Sequence, residues 1–246
     1  MMNKVVAKPL IFVCRPGPVG EQLAEAIVAL GIQAKHSPSL KIEVLSTTRP
    51  EGPYDHNIFI SPPAVLASFE NEPAWLATNA SVFAVGSGTA RELAKLGYAD
   101  VRIPTTFNSE GLLSMPELQT LSESNVLIIK GEGGRRLLQE TLLARGASCR
   151  DWCVYTRSKA EIDSHHWQAF KAADQVAVTC ASIETLDAFE SQRKAQNLPI
   201  PKQIYVASER IADHAQTVGY TDIIQVGGAA NELFIAAIKQ HHSIIS

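Results

Sequence analysis

The stretch LIIKGEGGRRLLQETLLARG, residues 127–146, shows the pattern that decides the fold. It begins with a short apolar run of the kind that forms a buried strand. Glycines and two arginines interrupt the run, and leucines then recur at helical spacing over residues 135–144. A strand, a glycine-rich turn and a helix in this order make a βα unit, whose turn offers backbone N–H groups to an anion. The stretch therefore predicts a parallel sheet and an anion-binding turn.

The same alternation of apolar run and helical pattern continues along the whole chain. A small or polar residue follows most runs, and helical patterns come next, as at residues 20–30 and 89–96. This order predicts an α/β fold with mostly parallel strands. The runs are LIFVC, NIFIS, VFAVG, DVRIP, NVLIIK, QVAVT, IYVAS and DIIQV.

The two halves of the chain resemble each other. Residues 97–113 align with 219–235, and residues 10–31 align with 125–146 at nearly the same offset. A third matching segment lies between these two in the chain, at nearly the same offset. Three segments that match at a nearly constant offset are hard to obtain by chance. We infer an internal duplication that produces two similar α/β domains.

Two stretches break the βα rhythm at matching places, SLKIEVL (39–45) and CRDWCVYTR (149–157). Both alternate apolar and polar residues, which is typical of strands exposed on one side. They are expected to form a two-stranded connection between the domains. Residues 47–55 are expected to be a proline-rich linker, and residues 191–202 a polar surface loop.

The composition excludes several classes of function. A formal net charge of −3 leaves no basic footprint for nucleic acid, and no polybasic run fits a membrane surface. No apolar run approaches the ~20 residues of a membrane span, and Lys8 and Pro9 interrupt the N-terminal run too early for a secretion signal. The cysteines and histidines lack metal-ligand spacing, and His165 and His166 are expected to be solvated on a helix. We expect a cytoplasmic protein without a metal site.

The loops at the carboxyl ends of the predicted strands are rich in hydroxyl residues and glycine. Ligands of open parallel sheets bind at this edge, beside helix N-termini. Helix capping alone would explain a Ser or Thr in any one loop, but many such loops on one side predict an anion-binding surface. The candidate residues are Arg15, Ser61, Ser87, Gly88, Thr89, Lys130, Gly131, Arg135, Ser182 and Ser208.

These loops match no nucleotide motif. In KGEGGR (130–135) the lysine precedes the glycines, and no GxGxxG pattern is completed there or in VGSGTA (85–90). A phosphosugar or nucleotide enzyme is therefore an alternative with little support from motifs. The usual constellations of catalytic residues are missing as well, since there is no GxSxG elbow and no Cys–His pair.

In the order and spacing of its motifs the chain resembles the uroporphyrinogen-III synthase family over nearly its full length. Cys14 and Cys180 stand where the family usually has Thr and Ser, and Pro62-Pro63 replaces a more usual Ser-Pro. These departures put individual side-chain contacts in question rather than the activity. The motifs that carry the resemblance include IFISPPAV (58–65), VFAVGSGTARELAKLGY (82–98), KGEGGRRLLQETLLARG (130–146), CVYTR (153–157) and VASERIADHAQTVGY (206–220).

The resemblance implies a fold and a chemistry. Two parallel α/β domains would be joined by an antiparallel two-stranded ladder, with the active site in the cleft between them. Residues 1–38 would pair with 159–246, residues 46–148 would form the second domain, and 39–45 and 149–158 would form the ladder. The family is a set of hydro-lyases that cyclise hydroxymethylbilane, a linear tetrapyrrole polycarboxylate, to uroporphyrinogen III with loss of water and inversion of ring D.

The resemblance also implies partners. The bound anions would be acetate and propionate groups, no cofactor would be needed, and the protein would be a monomer with a transient contact to the preceding enzyme of haem biosynthesis. A non-catalytic two-lobed binding module for an anionic small molecule is the alternative, which the fold and the repeat allow equally well.

By the same resemblance Tyr155 occupies the position of the tyrosine in the family's VYxR pattern. It would help the hydroxyl leave, because a phenol is protonated at neutral pH and can donate its proton. Its alternative role is to pack as a ladder tyrosine. Ser61, Thr89, Ser182 and Ser208 would hold substrate carboxylates, and Arg15, Lys130 and Arg135 would bring positive charge unless they are ordinary surface residues.

Overall fold

The structure is a computed structural model that describes residues 9–76 and 79–242. Residues 1–8, on which the expected absence of a secretion signal partly rests, lie outside the described part. The elements in chain order are β1 (Leu10–Val13), α1 (Gly17–Ala29), β2 (Ala34–His36), β3 (Leu40–Val44), β4 (His56–Phe59), α2 (Pro62–Asn71), β5 (Ser81–Ala84), α3 (Ser87–Lys95), β6 (Val101–Arg102), α4 (Ser109–Ser114), a 3₁₀ turn (Pro116–Leu118), β7 (Asn125–Gly131), α5 (Leu137–Ala144), β8 (Ser148–Lys159), α6 (Ser164–Ala172), β9 (Val176–Cys180), α7 (Ile183–Ala195), β10 (Gln203–Val206), α8 (Glu209–Val218), β11 (Asp222–Gln225) and α9 (Asn231–His241).

The chain divides into two compact units. The first contains residues 1–41 and 158–246, and the second contains residues 42–157. In the first unit five strands lie in the order β11-β10-β9-β1-β2, and each neighbouring pair is parallel. The predicted α/β fold with parallel strands is confirmed.

The second unit contains a sheet of six strands in the order β3-β8-β7-β4-β5-β6. The four pairs from β8 to β6 are parallel. At the edge, β3 runs antiparallel to β8, since the Leu45 N–H donates to the Val154 carbonyl and the Ala160 N–H donates to the Ser39 carbonyl. The two alternating stretches of the sequence are therefore both strands.

Each unit has its own apolar core, because strands covered on both faces are apolar along their length. All four residues of β1 are buried, and Phe12 packs against Trp167 and Phe170 at centroid distances of 6.0 and 5.5 Å. In the second unit Trp75 packs edge-on against Trp152 at 5.1 Å. Within the described residues, no helix has both the length and the apolar character needed to cross a bilayer.

Local structure differs from the sequence prediction at several places. Helix α1 begins at Gly17 rather than at residue 20, because Pro18 is compatible with the first helical turn. The short strand β2 was not predicted. The expected loop over residues 191–202 was wrong in its first part, since α7 continues to Ala195.

A buried ion pair explains why α7 continues through its polar end. Glu190 and Arg193 are 3% and 4% exposed, and the guanidinium donates to Glu190 Oε2 at 2.7 and 2.9 Å. Arg193 also donates to the Leu198 carbonyl, and the Tyr220 hydroxyl donates to Glu190 Oε1 at 2.7 Å. Burial and the nearby Glu190 carboxylate raise the pKa of Tyr220 well above its usual value, so the phenol stays a donor. Every charged group of this cluster is thereby hydrogen-bonded.

We expect Tyr220→Phe to lower the free energy of unfolding by about 1–3 kcal/mol, because Glu190 Oε1 would lose its donor in a buried place. Urea denaturation followed by circular dichroism measures the change. The matched control is Tyr54→Phe, whose hydroxyl donates to the Pro50 carbonyl at 2.9 Å in a half-exposed loop. Equal losses in the two variants would contradict the expectation.

Candidate active site

The second unit brings a group of candidate residues to one edge of its sheet. Strands β4, β5, β7 and β8 are parallel, so their carboxyl ends lie at the same edge. Ser61 follows β4, Ser87 opens the helix after β5, Gly131 ends β7 and Tyr155 lies opposite Gly131 in β8. The sequence therefore placed Ser61, Ser87 and Gly131 correctly at strand ends of a parallel sheet, whereas Tyr155 was expected in the connecting ladder.

Tyr155 is held against Gly131. The ring is 1% exposed, and a Cβ atom added to Gly131 would lie 2.5 Å from the Cζ atom of the ring. Only glycine leaves room for the ring at this point. The pairing of β7 with β8 shifts register between Lys130 and Gly131. Such a β-bulge changes the direction of the strand beside the ring.

Two polar side chains surround the hydroxyl of Tyr155. Arg157 Nη2 donates to the phenol oxygen at 2.8 Å, and Ser61 Oγ lies 3.1 Å from it. The Arg157 guanidinium also lies 5.2 Å from the centroid of the Tyr155 ring. Ser61 and Arg157 are themselves half-buried, so they form the polar surface next to the phenol. Sequence reasoning missed Arg157, although it lies in the CVYTR motif two residues after the tyrosine.

Ser61 has a second role as the N-cap of α2. Its Oγ accepts from the Ala64 N–H at 3.2 Å. Pro62 begins the helix, and its missing N–H costs little because the first N–H groups of a helix have no intrahelical acceptor. The proline in place of the family's serine is therefore compatible with the cap.

Helix α3 begins without a side-chain cap. Its N-cap is Gly86, so the N–H groups of its first turn meet no side-chain acceptor from that residue. Gly88 lies close to α2, since a Cβ atom there would be 3.8 Å from the Pro62 ring. Thr89 is buried in the first turn, with only 2% of its surface exposed. This turn combines backbone N–H groups with a positive helix end, which suits an anion.

The first unit carries a smaller group of candidates at the carboxyl edge of its own sheet. Ser182 caps α7 by accepting from the Thr185 N–H at 3.2 Å, and its Oγ lies 2.8 Å from Thr185 Oγ1. Ser208 is the N-cap of α8, but its side chain makes no cap hydrogen bond. Both follow neighbouring parallel strands, β9 and β10. Cys14 follows β1 and Cys180 ends β9; both are buried in the core, where thiols act as small apolar groups.

The three predicted cations all have partners inside their own unit. Lys130 is 9% exposed, and its Nζ lies 3.2 Å from Asp151 Oδ2. The two terminal nitrogens of the Arg135 guanidinium donate to the two carboxylate oxygens of Glu110, at 2.7 and 3.3 Å.

Arg15 lies in the first unit, where it donates to the Ala229 carbonyl and to Asn231 Oδ1. Burial lowers the pKa of its guanidinium, and the charge of Glu232 partly opposes this effect. The three cations that were predicted to bind a ligand thus form hydrogen bonds or ion pairs with groups of the protein itself.

The histidines contribute no metal centre to this site. In the part of the chain that the structure describes, no group of three or more His, Cys, Asp and Glu side chains could hold a metal ion. His166, which was expected to be solvated, instead has its Nδ1 at 2.8 Å from Ser37 Oγ, and burial lowers its pKa. His166 therefore makes a structural contact with Ser37 within the first unit.

These features define a class of protein, a two-unit parallel α/β protein with hydroxyl and N–H donors at its strand ends. The family model described as uroporphyrinogen-III synthase HemD matches residues 21–227. The chain belongs to the uroporphyrinogen-III synthase family, as its motifs had indicated.

Individual relatives agree with this assignment. The uroporphyrinogen-III synthase of Escherichia coli K12 is 28% identical, and the alignment covers 93% of this chain and 99% of the relative. That of Salmonella typhimurium LT2 is 27% identical with the same coverage of 93% and 99%. The crystal structure of uroporphyrinogen-III synthetase from Helicobacter pylori 26695 matches with a TM-score of 0.63 at 14% identity, over 95% of this chain and 100% of that chain. At that identity the structural match shows the fold.

We expect Lys130→Met to lower the free energy of unfolding by about 1–3 kcal/mol, because a half-buried Asp151 would lose its cation. Asp151 Oδ1 already has no hydrogen-bond partner. Adding Asp151→Asn should recover part of the loss, since a neutral amide needs no cation. Urea denaturation of the single and double variants measures both steps. If Lys130→Met leaves stability unchanged, Lys130 is available to a ligand instead.

Proposed function

We propose that the chain is a uroporphyrinogen-III synthase, a hydro-lyase that closes hydroxymethylbilane to uroporphyrinogen III with loss of water and inversion of ring D. The observation that carries the proposal is the family match over residues 21–227. This span includes Tyr155 and the strand-end residues of the two units, which are Ser61, Ser87, Gly131, Ser182 and Ser208. A non-catalytic binding module is not favoured by membership of this family. By the same proposal the protein is a cytoplasmic monomer that receives its substrate from the preceding enzyme of the pathway.

The substrate is a polycarboxylate, and the strand-end groups can bind carboxylates without a metal. Helices α3 and α8 both begin without a side-chain cap hydrogen bond, so their first turns can donate N–H groups to an anion. Each helix end favours a nearby negative charge by about 0.3–1 kcal/mol. The hydroxyls of Thr89 and Ser208 add donors at the same places, and Ser182 adds one at the start of α7. Each unit therefore offers several weak contacts of this kind to carboxylates of the substrate.

Tyr155 is the candidate to assist the departure of the hydroxyl. In this step the C–O bond of the hydroxymethyl group breaks, its electron pair goes to the oxygen, and the phenol proton completes a molecule of water. The pyrrole that remains is an azafulvenium cation, and the substituted carbon of ring D attacks its methylene carbon with an electron pair of the ring. Orientation of the two terminal rings then decides which isomer forms, and preorganised donors supply it.

The decisive experiment is incubation of the protein with hydroxymethylbilane, followed by oxidation and chromatographic separation of the type III and type I porphyrins. We expect type III in excess, because an oriented substrate closes with ring D inverted. Substrate alone, which closes to type I, is the control. Type I as the sole product, with the protein nevertheless binding the substrate, would identify a binding module instead. A rise in thermal stability with phosphate or nucleotides and no type III product would favour a phosphosugar or nucleotide enzyme.

We expect Tyr155→Phe to lower the single-turnover rate constant by about tenfold to a hundredfold, at or below the lower end of the range for general acids, since orientation supplies much of the rate. KM should change little, because the phenyl ring keeps its packing against Gly131. Tyr54→Phe, a change of the same kind in the same unit, should leave both constants unaltered. A Tyr155→Phe variant with full single-turnover rate would exclude the acid role.

A further inference from the structure

The hydroxyl of Tyr155 has a defined set of partners. Arginine can only donate hydrogen bonds, so the 2.8 Å contact from Arg157 Nη2 occupies one lone pair of the phenol oxygen. The phenol proton must therefore point away from Arg157. Residues 155 and 157 lie on the same face of β8, because side chains of a strand alternate with a period of two. The strand itself thus fixes the arginine beside the phenol.

Ser61 completes the arrangement. Its Oγ already accepts from the Ala64 N–H, and it keeps one hydrogen to donate. The phenol oxygen lies within reach of that hydrogen at 3.1 Å. Either hydroxyl can be the donor in this contact. When Ser61 donates, its hydrogen bond and the one from Arg157 together fill the two lone pairs of the phenol oxygen. The phenol proton is then the only part of the Tyr155 hydroxyl that can still form a hydrogen bond to a third group.

We propose that Arg157 is a positioning residue, which with Ser61 directs the phenol proton of Tyr155 toward the substrate and stabilises the phenolate that remains after proton transfer. The proposal rests on the function proposed above. The proton moves from Tyr155 to the leaving hydroxyl, water departs, and the phenolate is left with an Arg157 hydrogen bond that has become a contact between opposite charges. A later deprotonation of the cyclised product returns the proton to Tyr155.

The cation on Arg157 is the feature that a neutral residue could not replace. The hydrogen bond from Arg157 to the neutral phenol is already charge-assisted, and the opposite charge of a phenolate strengthens it further. Arg157 gains this strength only after Tyr155 has lost its proton, so its effect falls on the transition state rather than on substrate binding. The guanidinium also lies 5.2 Å from the ring centroid, which keeps it beside the phenol before the reaction.

The first test needs no turnover. In protein with ¹³C-labelled tyrosine, the Cζ resonance of Tyr155 is the signal that disappears in Tyr155→Phe, and its position reports hydrogen bonds to the phenol oxygen. We expect this resonance to move in Arg157→Met and in Ser61→Ala. It should not move in Arg150→Met, which removes an exposed arginine from the same strand. The resonances of Tyr54, Tyr98, Tyr205 and Tyr220 report whether each variant is folded.

The second test is a double-mutant cycle in single turnover. Arg157→Met should lower the rate by about tenfold, which corresponds to about 1.4 kcal/mol, with KM unchanged. Arg157→Lys should restore part of the rate, because it keeps the charge. In the Tyr155→Phe background Arg157→Met should have no further effect, since the proton that it positions is gone.

Each alternative outcome has a distinct meaning. A Tyr155 resonance that stays in place in folded Arg157→Met overturns the positioning role, whatever the enzyme activity. Losses that multiply in the double variant, or a loss seen in KM, would show that Arg157 binds a substrate carboxylate instead. If the wild-type protein makes no type III product, the proposed function fails, and the resonance still decides whether Arg157 and Ser61 hold the phenol.

Discussion

The parallel direction of the strands is the constraint on which the candidate site depends. Because β4, β5, β7 and β8 run the same way, every strand of this set delivers its following loop to one edge. Helices α2, α3 and α5, which follow β4, β5 and β7, then start at that edge, and the first N–H groups of a helix have no intrahelical acceptor. A tyrosine in β8 can reach a serine after β4 because a single strand, β7, lies between them and ends at Gly131. The absence of a side chain at Gly131 opens the space that the Tyr155 ring fills.

Much of this architecture could be predicted from the sequence because buried parallel strands leave a strong signal. Continuous apolar runs followed by helical spacing are rare outside βα units, and the internal repeat doubled the signal. The sequence predictions failed where polar residues were taken to be exposed to solvent. Residues 191–195 carry charged side chains, yet Arg193 is buried with Glu190 and Tyr220, partners that no local pattern reveals. Strand β2 is short, and its alternation gives little signal.

The candidate site was predictable in its residue types but not in its pairing. A hydroxyl or glycine after a strand can be read directly from the sequence, and Ser61, Gly131 and Ser182 lie where that rule places them. The partners of the cations are distant in sequence, as Lys130 with Asp151 and Arg135 with Glu110 show. A rule that treats a strand-end cation as free for a ligand misses them. The two-residue spacing of Tyr155 and Arg157 was a usable signal, because it puts both on one strand face.

The pairing of the cations changes how anion binding at these edges should be understood. With Arg15, Lys130 and Arg135 engaged by groups of their own unit, main-chain N–H groups and hydroxyls are the donors that these strand ends offer to carboxylates. Neutral donors bind each carboxylate weakly, but their positions are fixed by helices and strands, so they discriminate by geometry. A reaction whose outcome depends on the orientation of one ring benefits more from fixed directions than from strong charge. In the mechanism proposed above, Arg157 beside Tyr155 has a separate purpose, which is to act on the proton rather than on the substrate.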